Sequence, residues 1–260
     1  MTWLNVLFGF GVGVIVGITG VGGGSLMTPI LVLFFGMAPA AAVGTDLWFA
    51  AMTKIAGGAV LERKRSVDWQ VVRRLWLGSV PMSGATLLWM RLSGVAQANP
   101  RLILILLGWV LVVTSLAMIF KSRTDQFAQQ LLLHAPRGLK RAQPLLTVVA
   151  GAILGFLVTL TSVSAGALGT AMLLYLYPNR MKPARLVGTD IVHAVPLTIV
   201  AGVGHLLMGD VNVVLLGNLL AGLIPGVVLG ALYGGRAPEG LLRTAIGVVL
   251  AAVGTKMLMS

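Results

Sequence analysis

Residues 37–46 read MAPAAAVGTD, and residues 181–190 read MKPARLVGTD. The two stretches are identical at seven of ten positions and lie 144 residues apart. Other equivalent pairs keep a spacing of 144 or 142 residues, among them Gly78 and Gly222, Pro81 and Pro225, Gly9 and Gly151, and Thr28 and Thr170. Self-similarity at a fixed spacing indicates an internal duplication. The chain is therefore predicted to contain two copies of one unit.

The composition places this duplicated unit in a membrane. Of 260 residues, 57% are hydrophobic and 10% are charged, with a mean hydropathy of +0.96. Soluble domains carry about 25% charged residues. Residues 102–120 and 211–233 contain no charge at all. This pattern excludes a soluble enzyme, a secreted disulfide scaffold and a DNA-binding domain, and the absence of cysteine excludes disulfides and thiolate metal sites.

The predicted fold class is all-α, a polytopic membrane protein built from two five-segment units. Ten apolar segments are predicted at residues 3–18, 25–36, 40–60, 70–90, 102–120, 144–160, 168–177, 184–206, 212–234 and 240–258. About twenty residues are needed to cross the hydrocarbon core, so the second and seventh segments are too short to span it. We expect about eight full transmembrane helices plus two short re-entrant or half-helices.

The basic residues predict the orientation of each unit, because cytoplasmic loops are enriched in lysine and arginine. Fifteen of the nineteen fall in connections assigned to one side, three on the other, and Lys54 lies inside a segment. An odd number of crossings per unit inverts the second copy. We therefore expect a first membrane repeat at 1–120, a basic cytoplasmic connecting loop at 121–143 and a second, inverted repeat at 144–260, with both termini outside.

A loop of small residues precedes each short segment, at residues 20–25 and 161–167. A helix N-terminus presents free N–H groups and partial positive charge, and small residues let an anion approach them. Glycines that only allow close helix packing are the alternative. The candidate substrate-binding residues are Gly22, Gly23, Gly24, Ser25, Thr45, Ser162, Ser164, Ala165, Gly166 and Thr189.

Asp46 and Asp190 are the repeated acids of the Val-Gly-Thr-Asp motif, and each lies about 9 Å into a predicted span. Acids at this depth are costly and usually face a cavity or a partner. One interpretation is proton coupling, since burial favours the protonated carboxyl group. The other is that each acid bonds the neighbouring backbone and orients the site without titrating.

His193 and Lys54 complete the predicted coupling or site-orienting set. His193 follows Asp190 by three residues on the same helical face, and its counterpart in the first copy is Phe49. This asymmetry suits a proton relay, although a packing role is the simpler interpretation. Lys54 could neutralise Asp46 or an anionic substrate, but we expect it to extend to the cytoplasmic interface.

These residues resemble the sulfite exporter TauE/SafE family of bacterial membrane permeases. The resemblance covers nearly the whole chain and is carried by the stretches GVGGGSLMTP (20–29), AVGTD (42–46), TSVSAGALGT (161–170) and LVGTD (186–190). It implies a transporter in the cytoplasmic membrane that moves sulfite, organosulfonates or related small organic anions, usually outward. The second copy departs from the glycine triplet of the first, with Ser164, Ala165 and Gly166 in its place.

The leading hypothesis is therefore a secondary transporter that exports a small oxyanion by alternating access. A cation/proton exchanger with Asp46 and Asp190 as ion ligands is the rival, and a non-transporting membrane subunit or membrane enzyme ranks lower because the sequence has no metalloprotease or nucleophile-elbow motif. We expect no catalytic residues, metal or other cofactor. The expected partners are a small sulfite-like anion and membrane lipid but no nucleic acid, with a homodimer as one form of assembly.

Overall fold

A computed structural model describes residues 2–19, 24–63, 67–94, 99–119, 137–162, 167–177, 180–181, 183–233 and 239–259. Within these residues the regular structure is entirely α-helical, which confirms the all-α part of the prediction. The ten described helices are α1 (Thr2–Thr19), α2 (Gly24–Leu33), α3 (Pro39–Arg63), α4 (Trp69–Ser93), α5 (Pro100–Ile119), α6 (Arg137–Thr161), α7 (Ala167–Leu176), α8 (Pro183–Leu207), α9 (Val213–Tyr233) and α10 (Glu239–Met259).

Helices α2 and α7 are the two short segments expected from the sequence. Each has ten residues, about 15 Å of helix, half of what a hydrocarbon core requires. Helix α6 differs from expectation, since it begins at Arg137 inside the stretch assigned to the connecting loop. The rest of that loop lies outside the described residues.

Helix ends at the two sides of the molecule use capping residues. The Asp68 side chain accepts a hydrogen bond from Val71 N at the start of α4, and Asn212 does the same for Leu215 N at α9. Asp and Asn are favoured at this position because they satisfy free N–H groups of the first turn. Gly94 ends α4 with a φ of 60°, a conformation in which glycine carries no steric penalty.

The helices pair across the two copies in equivalent ways. Helix α1 packs on α9, and its counterpart α6 packs on α4. Helix α3 packs on its counterpart α8, and α5 packs on its counterpart α10. Gly78 lies so close to Val148 O that a Cβ there would overlap it, and the equivalent Gly222 lies in the same way against Val6 O. Small residues at such crossings let helix backbones approach in membrane proteins.

At the centre, α3 and α8 bury an apolar cluster together with α6. Its members are Val43, Leu47, Val158, Ala194, Leu197 and Ala201. By length and composition, three described stretches suit a membrane span, Ala142–Thr161, Arg185–Leu207 and Val213–Gly230, and three shorter stretches are also apolar, Trp3–Ile18, Arg101–Leu116 and Gly247–Met259. Asp46 lies on α3 and Asp190 on α8, two of the helices that this cluster joins.

Candidate functional site

Asp46 connects α3 to the first turns of the short helix α2. Its Oδ2 atom accepts hydrogen bonds from the backbone N–H of Thr28 at 3.2 Å and from the Thr28 hydroxyl at 2.5 Å. Both residues are fully buried. Because the Asp46 carboxylate bonds Thr28, the fifth residue of α2, it connects α3 to α2. That Asp46 orients the site without titrating stays a prediction.

Asp190 holds the equivalent position against α7. A Cβ built on Gly169 would overlap Asp190 Oδ1, so the carboxylate lies directly over the first turn of α7. Gly169 precedes Thr170, the repeat counterpart of Thr28. Among the described residues, the Oδ1 atoms of both Asp46 and Asp190 have no hydrogen-bond partner.

Ser162 brings the second copy to the acid of the first. It follows α6 with a φ of 59°, a left-handed backbone that is rare for a residue with a side chain. Ser162 lies close enough to the Asp46 carboxylate to interact with it, and its buried hydroxyl has no hydrogen-bond partner among the described residues. Strained residues with free polar atoms are concentrated at functional sites.

Lys54 contributes a buried positive charge to the same region. It is 5% exposed and interacts electrostatically with Asp190 and, more weakly, with Asp46. The expected extension to the cytoplasmic interface is therefore wrong. The physical reason is depth: α3 continues to Arg63, nine residues further, which puts Lys54 about 13 Å from the helix end.

His193 is buried on α8, where its Nε2 atom lies 2.9 Å from Ser79 Oγ of α4. Its Nδ1 atom has no hydrogen-bond partner in the described part of the chain. The indole N–H of Trp76 donates to the His193 carbonyl at 3.0 Å. His193 therefore packs against α4 and also keeps a free nitrogen, so the geometry is compatible with both sequence interpretations.

Thr45 and Thr189 precede the two acids but bond away from the short helices. The Thr45 hydroxyl accepts from Asn212 N at 3.2 Å, and the Thr189 hydroxyl accepts from Asp68 N at 3.0 Å. These contacts fix the starts of α9 and α4 beside the acids. A substrate contact by either threonine stays a prediction.

The predicted loops are only partly described. Gly24 and Ser25 form the start of α2. Gly22, Gly23, Ser164, Ala165 and Gly166 lie outside the described residues. The site that the structure does describe combines two acids, one lysine and the first turns of two short helices, drawn from both copies.

Sequence reasoning missed three contributors to this region, Thr28, Ser79 and the pair of Asp68 with Arg180. Thr28 had a signal, because the repeat aligns it with Thr170. Ser79 and the Asp68–Arg180 pair had none, since their partners are more than 100 residues away. Within the described residues, no group of three or more His, Cys, Asp or Glu side chains could hold a metal ion.

Comparisons with known proteins agree with this architecture. Residues 5–257 match the family described as Sulfite exporter TauE/SafE. The chain is also 35% identical over 215 residues to a Bacillus subtilis (strain 168) protein named "Probable membrane transporter protein YjnA", a match that covers 81% of each chain. No solved structure matches the chain.

Proposed function

Because the chain belongs to the sulfite exporter TauE/SafE family of membrane transporters, we propose that it is a permease that exports a small oxyanion by alternating access. Sulfite is the proposed substrate, with related organosulfonates or organic anions as the wider class. The proposed location is the cytoplasmic membrane, with lipid as its surroundings and with no nucleic acid or cofactor required.

One observation carries the proposal: a buried lysine lies beside the two acids that hold the starts of two short helices. A desolvated ammonium and free N–H groups at helix starts both attract an anion. Discontinuous transporter helices use this arrangement to hold substrate anions near the bilayer midplane. Asp46 and Asp190 contact α2 and α7, and we assign Lys54 and the N–H groups at the helix starts to the substrate.

Helix directions support an inverted repeat of about eight spans and two half-helices. Gly222 meets Val6 and Gly230 meets Val14, so α9 runs parallel to α1. Gly247 meets Ile119 and Gly254 meets Gly108, so α10 runs antiparallel to α5. The topology proposed from the basic residues requires both relations, because α1 and α9 would run inward and α10 outward. The proposed arrangement keeps both termini outside.

The test is sulfite release from proteoliposomes that contain the purified protein. An inside-negative potential favours anion exit by about 2.3 kcal/mol per charge per 100 mV, so we expect it to accelerate release. Protein-free vesicles correct for passive leak. Release at the protein-free rate under every imposed potential would show that this chain is not a sulfite permease.

Cation/proton exchange is the second candidate. It is favoured by the Oδ1 atoms of Asp46 and Asp190, which have no hydrogen-bond partner within the described part of the chain. The buried charge of Lys54 opposes a cation at the same carboxylates. The double variant Asp46→Asn, Asp190→Asn separates the two functions. Loss of metal-ion flux in that variant would support the exchanger, whereas unchanged anion binding with altered pH dependence would support the anion permease.

A further inference from the structure

An ion pair joins the two copies at one end of the molecule. Arg180, after α7, donates from Nε to Asp68 Oδ2 at 2.6 Å and from Nη2 to Asp68 Oδ1 at 2.8 Å. A third bond runs from Nη2 to Gln70 Oε1 at 2.8 Å. Two-pronged arginine–carboxylate pairs are strong and fix the relative orientation of their partners.

The pair is unevenly buried. The Asp68 side chain is 5% exposed and the Arg180 side chain 40%. A buried carboxylate that loses its partner is costly, whereas the arginine can be solvated where it stands. The interaction therefore differs from ordinary surface ion pairs, which contribute little.

Neighbouring contacts reinforce the same end. Arg74 Nη1 donates to the Tyr177 hydroxyl at 3.0 Å, and that hydroxyl lies 2.8 Å from Thr147 Oγ1. The Arg180 guanidinium lies 5.8 Å from the centre of the Tyr177 ring. Together these contacts connect α4 and α6 to Tyr177, the residue directly after α7.

The opposite end cannot form this pair. The repeat counterpart of Asp68 is Asn212, and that of Arg180 is Gly36. Asn212 caps α9 through a 3.0 Å bond from Leu215 N, as Asp68 caps α4, but it has no charge. The two ends thus share one backbone arrangement and differ in the ion pair.

The ion pair is also connected to the central site. Asp68 N donates to the Thr189 hydroxyl at 3.0 Å, and Thr189 directly precedes Asp190. If the start of α4 moves away from α7, the hydrogen bond between Asp68 N and Thr189 would therefore pull on α8 beside Asp190. This end carries most of the basic residues, which assigns it to the cytoplasmic side.

We propose that the Asp68–Arg180 pair is a latch that closes the cytoplasmic entrance to the central site. Among the described residues, the opposite end has only the His205–Asp210 contact, which lies within one copy and does not join the two. The latch rests on the proposed transport function, because it biases which side of the site is open. Breaking it shifts the population toward the state open to the cytoplasm.

Asp68→Asn is the decisive variant because it copies the residue at the other end. Asparagine preserves the cap on α4 and removes only the charge, and the exposed Arg180 remains solvated. A Ser162→Cys reporter at the central site is added to the chain, which has no other cysteine. An impermeant maleimide is then added to right-side-out vesicles, to label from the outer side, and to inside-out vesicles, to label from the cytoplasmic side.

We expect Asp68→Asn to raise labelling from the cytoplasmic side about tenfold, the factor that about 1.4 kcal/mol of differential stabilisation produces. Labelling from the outer side should fall. Arg180→Gln should act in the same direction, and the double variant should add little because both changes remove one interaction. Arg73→Gln, at an exposed arginine of the same helix, is the matched control and should change neither rate.

Two outcomes would overturn the latch: labelling unchanged on both sides, or labelling raised equally on both, which is the mark of general loosening. The melting temperature of each variant separates loosening from opening. Labelling needs no substrate, whereas sulfite release by the unmodified chain tests transport. An asymmetric labelling change without sulfite release would support the latch and contradict sulfite transport. Sulfite release without a labelling change would support transport and contradict the latch.

Discussion

At the scale of single residues, the hydrogen bonds of Asp46 predict how stability depends on Thr28. Thr28→Val removes the hydroxyl donor and leaves a buried carboxylate with fewer partners. We expect a loss of about 1–3 kcal/mol in the free energy of unfolding, measured in detergent. Thr114→Val is the matched control, because the buried Thr114 hydroxyl has no hydrogen-bond partner among the residues that the structure describes. Equal losses in both variants would show that the Asp46 contact contributes nothing.

Lys54 predicts a different outcome, which concerns binding. Lys54→Thr places the residue of the second copy, Thr198, at this position and removes the positive charge beside the acids. We expect sulfite to stop raising the melting temperature of this variant, since the anion loses its buried counter-charge. Lys256→Thr, at an exposed lysine, should keep the full sulfite-induced shift. A normal shift in Lys54→Thr would remove Lys54 from the site.

Individual residues also show where sequence reasoning stops. The repeated motif identified Asp46 and Asp190, because an acid in two equivalent apolar segments has few interpretations. It could not identify the surroundings of Lys54, since burial depends on where α3 ends and on an acid that lies 136 residues further along the chain. Contacts between the two copies depend on how the chain folds, so the spacing of residues in the sequence does not predict them.

At the scale of helices, the crossings of α4 with α6 and of α9 with α1 should respond alike to substitution. Gly78→Ala and Gly222→Ala each place a Cβ against a backbone carbonyl that cannot move without separating the helices. We expect each to lower stability by about 1–3 kcal/mol, the usual cost of overpacking. Gly84→Ala, which meets nothing within 4 Å, should be neutral or stabilising by up to about 1 kcal/mol.

Measured melting temperatures would decide this prediction. A loss in only one of the two variants would mean that the two crossings are not equivalent. The sequence predicted the existence of these helices, because hydropathy follows lipid exposure and burial together. It missed the first turns of α6, which begins at Arg137 in a basic stretch. It did not predict their partners, since the repeat spacing contains no information about which helices of different copies meet.

At the scale of the whole molecule, the proposed topology places the two ends of α4 on opposite sides of the membrane. Its 25 residues span about 36 Å, enough to cross the hydrocarbon core. Both Arg73 and Ser93 are exposed, one near each end. Cysteines introduced at these two positions therefore report orientation from a single helix.

In intact cells, Ser93→Cys should react with an impermeant maleimide, and Arg73→Cys should not. The reason is that fifteen of the nineteen basic residues fall on the Arg73 side, which the positive-inside preference assigns to the cytoplasm. Labelling of both variants after detergent solubilisation is the control for reactivity. If Arg73→Cys reacts in cells and Ser93→Cys does not, both copies are inverted relative to the proposal, and the Asp68–Arg180 pair closes the outer entrance to the site instead.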